Sequence, residues 1–204
     1  MSVVTNVVFD LGGVLLDWNP RHLYGAEIAD PDELEHFLNV VCPLAWHFDH
    51  DKGRPFAETL PARAEQFPEH AELIHLWGDR YLDMISGPLD GTVAILEELD
   101  DAGVPLFALT NMPAEVWPRL QARYGFLDRL RGAVVSGQDR LVKPDPAIYR
   151  LLLDRYRLEA GATVFIDDVE GNAQGARDQG LHGIWFRDPD QLRVELVDLG
   201  LPLA

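Results

Sequence analysis

Asp10 closes the apolar run Val7-Val8-Phe9 and is followed at once by Leu11-Gly12-Gly13. A second run, Val164-Phe165-Ile166, delivers Asp167-Asp168 and then Val169-Glu170-Gly171-Asn172. Both read as buried strands that expel carboxylates at their C-terminal ends into glycine-containing turns. In an open parallel sheet, that edge is where ligands bind. Carboxylates converging there repel one another unless a positive group joins them, and a divalent cation meets that need. Oxygen donors with no Cys or His beside them select a hard cation, Mg2+. Asp10 can also attack an electrophile and form a covalent intermediate that water later hydrolyses. The other use of an Asp at a strand end is as a plain cap or turn residue.

Two further pieces lie between these carboxylates. Thr110-Asn111 ends the run Val104-Pro105-Leu106-Phe107-Ala108-Leu109, just before Met112-Pro113-Ala114-Glu115. A hydroxyl, an amide and the free N–H groups of a following helix suit phosphate oxygens, although simple capping of that helix uses the same residues. Lys143 stands between Leu141-Val142 and Pro144-Asp145-Pro146. At a strand-to-helix connection it could neutralise both a phosphate and Asp10, whereas most lysines are solvated surface residues.

The elements that must position these groups follow from the apolar pattern. Residues 3–9, 104–110, 133–136, 163–167 and 182–186 read as strands. Between them, helical spacing runs over 91–101, 146–156 and 171–179, with Gly103 and Gly180 as C-terminal stops and Pro146 as a first-turn proline. Strand and helix alternating at this interval mean a parallel α/β sheet with crossovers.

Residues 17–87 break that alternation and hold no convincing strand. Asp30-Pro31-Asp32-Glu33 is a helix start, and Leu34, Phe37, Leu38 and Val41 follow on one helical face. Phe56, Leu60 and Phe67 mark a second helix, which Pro61 should kink or split. Leu73, Leu76, Trp77, Tyr81 and Ile85 mark a longer one ended by Ser86-Gly87-Pro88. An insert directly after the first strand sits over the sheet's C-terminal edge, where a lid belongs. The expected division is a core of residues 1–16 and 88–204 with a cap of residues 17–87, hinged near 17–19 and 86–88. Trp18, Trp77, Trp117 and Trp185 are expected in the core or the interface, and Cys42 is expected to be buried.

The chain has 204 residues, 47% of them apolar, room for one domain with a sizeable core or a core with a small insert. No apolar run approaches ~20 residues, and the first residues lack a basic, cleavable leader, so we expect a cytoplasmic protein with no membrane partner. One cysteine excludes a disulfide framework within the chain. A formal net charge of −17 argues against nucleic acid as a partner. It also requires a local positive site if the substrate is anionic. Oligomeric state is not legible here.

Phe9-Asp10-Leu11-Gly12-Gly13-Val14, Leu109-Thr110-Asn111, Val142-Lys143-Pro144-Asp145-Pro146 and Phe165-Ile166-Asp167-Asp168 with Asn172 stand in an order that resembles the haloacid dehalogenase superfamily over nearly the whole chain. Residues 136–149 and 165–180 are similar to the branch holding the N-terminal phosphatase domain of soluble epoxide hydrolase and small bacterial sugar-phosphate phosphatases. The resemblance implies a Rossmann-like core with an α-helical cap, and a phosphatase acting on a small phosphorylated metabolite. It implies Asp10 as nucleophile and Mg2+ ligand, and Thr110 and Asn111 as holders of the phosphoryl group. Lys143 would neutralise that group and orient Asp10. Asp167, Asp168 and the carbonyl of Gly12 would complete the metal site.

Most phosphatases of that superfamily carry a second Asp, the general acid, two residues after the nucleophile; here that position is Gly12. Asp17 is the first substitute acid to consider, then His47 and Asp49. Without an acid, aryl or anomeric phosphates should turn over much faster than alkyl ones. A C–halogen hydrolase acting through Asp10 without metal, and a non-catalytic member that binds a phosphorylated ligand, are the rival readings. A Schiff-base route of the phosphonate-cleaving kind would rest on Lys52, the one lysine of the insert.

Overall fold

A computed structural model describes residues 3–203 of the chain. In chain order these residues form β1 (Asn6–Phe9), β2 (Leu16–Trp18), α1 (Pro20–Glu27), α2 (Pro31–His36), α3 (Leu44–Asp51), α4 (Phe56–Gln66), α5 (Ala71–Asp79), β3 (Ile85–Pro88), α6 (Asp90–Asp101), β4 (Leu106–Thr110), α7 (Trp117–Arg123), β5 (Gly132–Val135), α8 (Ser136–Asp139), α9 (Pro146–Tyr156), β6 (Thr163–Asp167), α10 (Glu170–Asp178), β7 (His182–Trp185) and α11 (Pro189–Asp198).

Five strands pair in parallel in the order β5-β4-β1-β6-β7. Apolar residues on both faces explain why the strand runs carry no charge before their ends. Val7, Phe9, Leu106, Ala108, Val164 and Ile166 face one layer, where Ile95, Leu96 and Leu99 of α6 and Leu192 and Leu196 of α11 cover them. Val8, Phe107, Leu109 and Phe165 alternate to the other face, under Ile148, Tyr149 and Leu152 of α9 and Ala176 of α10. The chain steps outward from β1 to β4 and β5, then crosses to β6 and β7 on the far side. Strand order therefore reverses beside β1, and the crevice opens at the C-terminal ends of β1, β4 and β6. The architecture is a Rossmann-like core with a helical cap.

Several expectations are corrected at element level. The first strand begins at Asn6; Val3 is exposed and Val3 to Thr5 are irregular. The insert does contribute strands: β2 and β3 pair antiparallel, with Leu16 opposite Pro88 and Trp18 opposite Ile85. Ser86-Gly87-Pro88 reads as a stop signal, but Pro88 lies at the end of a two-stranded ribbon, where a missing N–H is tolerated. The helix expected through Ile85 stops at Asp79, and a 3-10 turn (Tyr81–Met84) leads into β3. The stripe from Leu34 to Val41 divides between α2 and one π-helical turn (Phe37–Val41). Pro61 does not split its helix, since α4 runs through it. Trp185 is 44% exposed rather than core, whereas Trp77 and Cys42 are buried. Met1, Ser2 and Ala204, which fall within the leader reading and the expected core segments, lie outside the described residues.

Cap and core share one apolar cluster, which runs from Leu23, Tyr24, Phe37 and Trp77 to Leu11, Leu16 and Met112. Arg119 of α7 donates to the carbonyls of Gly78 (2.7 Å) and Asp79 (3.0 Å), capping the C-terminal end of α5. No helix among the described residues is long and apolar enough to cross a membrane.

Candidate active site

Lys143 organises the crevice. It is 2% exposed, and its ammonium donates to Asp10 Oδ2 (2.8 Å), Asp167 Oδ2 (2.7 Å) and the Leu109 carbonyl (3.1 Å). Three protons thus meet three acceptors. Burial alone would lower the pKa of this ammonium; Asp10 and Asp167 outweigh it and hold the pKa above the usual lysine value. Asn111 fixes the segment that carries it. Its amide donates to the Lys143 carbonyl (3.1 Å) and its oxygen accepts from the Lys143 N–H (2.9 Å). Both ends of the Asn111 side chain are therefore committed to the Lys143 main chain.

Asp10 accepts the Leu11 N–H at Oδ1 (2.7 Å), so contacts at both oxygens lock its rotamer. Asp167 is fully buried and accepts from the Val169 N–H (2.8 Å) and from Asn172 Nδ2 (3.0 Å) as well as from Lys143. Asp168 lies over Gly13, and its carbonyl accepts from Trp185 Nε1 (3.0 Å).

Asp10, Asp167 and Asp168 each offer one oxygen within 4.8 Å of the others. Three carboxylates face one ammonium. Burial, opposed by Lys143 and reinforced by Asp167 and Asp168, pushes Asp10 up to about 7. Burial and then Asp167 raise Asp168 as well. A surplus of hard oxygen donors facing one ammonium fits a small divalent cation.

Above this cluster is a cavity of about 320 Å3. The core lines it with Asp10, Gly12, Gly13, Thr110, Asn111 and Asp168. The ribbon and cap add Leu16, Trp18, His47, Phe48, Asp51 and Tyr81. The insert thus lies over Asp10, as its position in the chain requires.

Two expected residues do not behave as the sequence suggested. Asp17 does not line the cavity. It lies between Leu16 and Trp18, which do, so strand alternation turns it outward to Ser86 Oγ and His22 Nε2 (3.1 Å). The Ser86 hydroxyl holds its pKa below the usual value, the wrong direction for an acid. Asp49 points to the surface and pairs with Lys52 (3.4 Å) and Arg54 (3.5 Å). Lys52 is likewise a surface lysine of this cluster, away from the cavity lining. The helix after Thr110-Asn111 begins only at Trp117, so no helix N-terminus faces the site from there. The Met112 N–H is held instead by Ser136 Oγ (2.9 Å).

Asp51 is the acidic lining residue that sequence reasoning did not single out. A signal existed: Asp51 is four residues beyond His47 and shares its helix face, whereas Asp49 at two residues cannot. His47 is buried, and burial followed by His50 pushes it down to about 3, so its ring is neutral. Its Nδ1 accepts from Trp77 Nε1 (3.1 Å), which puts the proton on Nε2, 3.6 Å from Asp51 Oδ1. Asp51 is 7% exposed, and burial, opposed by Lys143 and supported by Asp10, pushes it up to about 7.

Residues 4–180 match the family model described as haloacid dehalogenase-like hydrolase. A sesquiterpene phosphatase of Aspergillus oryzae is 26% identical over 94% of each chain. A bifunctional epoxide hydrolase of Sus scrofa is 43% identical, over 41% of this chain and 14% of its own. The fold also superposes on a haloacid dehalogenase family enzyme from Bacteroides thetaiotaomicron in complex with magnesium and inorganic phosphate, with a TM-score of 0.70, 18% identity and coverage of 91% of this chain and 95% of that one. With the site geometry, these matches mean that the chain belongs to the haloacid dehalogenase-like hydrolase family.

Proposed function

We propose that this hydrolase is a Mg2+-dependent phosphomonoesterase working through an aspartyl-phosphate on Asp10. The observation that carries the reading is the single ammonium of Lys143 shared by Asp10 and Asp167 beneath the cavity, with Asp168 adjoining. Phosphoryl transfer needs positioning and charge neutralisation more than covalent assistance, and this cluster supplies both.

Asp10, Asp168 and the Gly12 carbonyl would hold the ion, with Asp167 supporting them through Lys143, Asn172 and Val169. When bound, Mg2+ neutralises the site's surplus negative charge and that of the phosphoryl oxygens. The Thr110 hydroxyl, at the end of β4, holds the phosphoryl group, and Lys143 keeps Asp10 ionised and aimed. Asn111 acts by fixing the Lys143 segment. Asp10 attacks phosphorus, its O–P bond forms as the ester P–O bond breaks, and water then cleaves the aspartyl-phosphate to inorganic phosphate and free Asp10.

The substrate is a small phosphorylated metabolite whose remaining part is uncharged and apolar. Leu16, Trp18, Leu44, Phe48, Tyr81, Ile85, Met112 and Leu120 line the cavity around the carboxylates. The likeness to a sesquiterpene phosphatase supports that choice.

The deciding experiment is a panel of phosphate esters assayed with Mg2+ and with excess chelator. Turnover should require Mg2+, and apolar esters should be preferred over sugar phosphates. Full activity in chelator, or halide release from 2-haloacids, would sink this reading in favour of C–halogen hydrolysis.

Two predictions concern the metal. Mg2+ at 100 times its Kd should stabilise the fold by about 2.7 kcal/mol. For a chain of this size that raises the melting temperature by roughly 5–10 °C; no shift would remove the metal from the site. Gly13 has φ +72°, and a Cβ there would sit 2.2 Å from Asp168 Oδ2. Gly13→Ala should therefore displace Asp168 and weaken Mg2+ binding roughly 10–100-fold, measurable by titration calorimetry.

A further inference from the structure

We propose that Asp51, on cap helix α3, is the acid that protonates the departing oxygen of the substrate. The proposal rests on the phosphatase reading above. Gly12 carries no proton donor at the place where one would stand beside Asp10. The donor must then come from elsewhere in the cavity lining, whose ionisable groups are Asp10, Asp168, His47, Tyr81 and Asp51.

Elimination and geometry agree. Asp10 is the nucleophile, and Asp168 belongs to the cation's ligand set. His47 is buried as the neutral ring, whose remaining N–H is too weak an acid to serve, and its Nδ1 accepts from Trp77. Tyr81 is buried, and burial raises an already weak phenol further. Asp51 remains. Its Oδ1 is buried without a hydrogen-bond partner, and no hydrogen bond is formed by its side chain among the described residues. A buried carboxyl left without a hydrogen bond is costly, and a leaving oxygen entering the cavity supplies that bond.

The step balances. Asp10 forms its bond to phosphorus as the ester P–O bond breaks, and the electron pair goes to the leaving oxygen. The carboxyl proton of Asp51 passes to that oxygen, giving the free alcohol. The Asp51 carboxylate, whose Oδ1 lies 3.6 Å from Nε2 of His47, then takes a proton from the water that attacks the aspartyl-phosphate. Asp51 is thereby reset and phosphate leaves. Burial maintains the protonated fraction that the first half-reaction needs. Because Asp51 belongs to the cap and Asp10 to the core, the acid and the nucleophile meet only when the cap lies over the sheet edge.

The test is a leaving-group series. With Mg2+, Asp51→Asn should cut turnover of an alkyl phosphate such as 2-phenylethyl phosphate by about 10²–10⁴-fold. The loss on p-nitrophenyl phosphate, whose leaving oxygen needs no proton, should be at least about tenfold smaller. Gly12→Asp in the Asp51→Asn background should restore alkyl-ester turnover; a Cβ at Gly12 meets only Trp18 Cβ, at 3.8 Å. Equal losses on both esters at an unchanged melting temperature would overturn the assignment and leave the phosphatase reading intact. If Asp51→Asn does not fold, the wild type decides: chemistry-limited rates that fall steeply with leaving-group pKa would overturn it, and a shallow dependence supports it. A wild type that hydrolyses no phosphate ester with Mg2+ overturns the phosphatase reading itself, and this assignment with it.

Discussion

Asp10→Asn should lower phosphate-ester turnover by about 10⁴-fold or more, the scale on which nucleophile loss acts elsewhere, without lowering the melting temperature. The amide nearly matches the carboxylate in shape but cannot attack phosphorus. Stability should hold because the substitution removes one of three mutually repelling carboxylates. Lys143 keeps its ion pair with Asp167 and its bond to the Leu109 carbonyl. The variant should also fail to give the phosphoenzyme that the wild type forms, seen by rapid quench and mass spectrometry. Near-native turnover by Asp10→Asn would mean that water attacks the ester directly.

Lys143→Met should cost both function and fold. The methionine chain follows much of the lysine's apolar path along the Phe165 ring, which lies 5.3 Å from the ammonium. It leaves Asp10 and Asp167 buried and facing each other with no positive group between them. Breaking a buried pair by removing one partner costs about 3–5 kcal/mol, or roughly 6–20 °C in melting temperature at this chain length. Saturating Mg2+ should recover part of the loss, since it supplies positive charge to the same oxygens. Turnover should stay negligible, because nothing then orients Asp10. A drop of less than about 2 °C without Mg2+ would show that the cluster protonates rather than depending on the lysine.

Legibility followed the length scale of the signal. Val7-Val8-Phe9 and Val164-Phe165-Ile166 are buried on both faces, so each is a solid apolar run that points to a parallel strand and to the carboxylate after it. Lys143 was legible only as a position between two elements. Its partners lie 133 residues back, at Asp10, and 24 on, at Asp167. The ribbon was missed because β2 has three residues and pairs across the whole insert with β3, whose Gly87-Pro88 imitates a terminator. Asp17 was misread for the same reason, because its outward direction follows from a strand that local pattern did not reveal. Asp51 was not singled out because a surface ion pair at Asp49 and a buried carboxyl without a hydrogen bond two residues on look alike in sequence.

The ribbon has a thermodynamic meaning beyond geometry. Trp18 and Ile85 are cross-strand neighbours, and residues 19–84 leave and return between them. If those residues unfolded while the core stayed native, the ribbon would have to close one long flexible loop. Loop-closure entropy puts that about 3 kcal/mol above the cost of a tight hairpin turn. The folded cap removes the penalty by presenting its two ends side by side. Partial melting of the cap alone is thus disfavoured, and the chain should unfold in a single transition rather than shedding its cap first. The same adjacency makes the two crossing points a natural splice: joining residue 18 to 85 through a two-residue reverse turn would preserve the ribbon's pairing and yield a capless core.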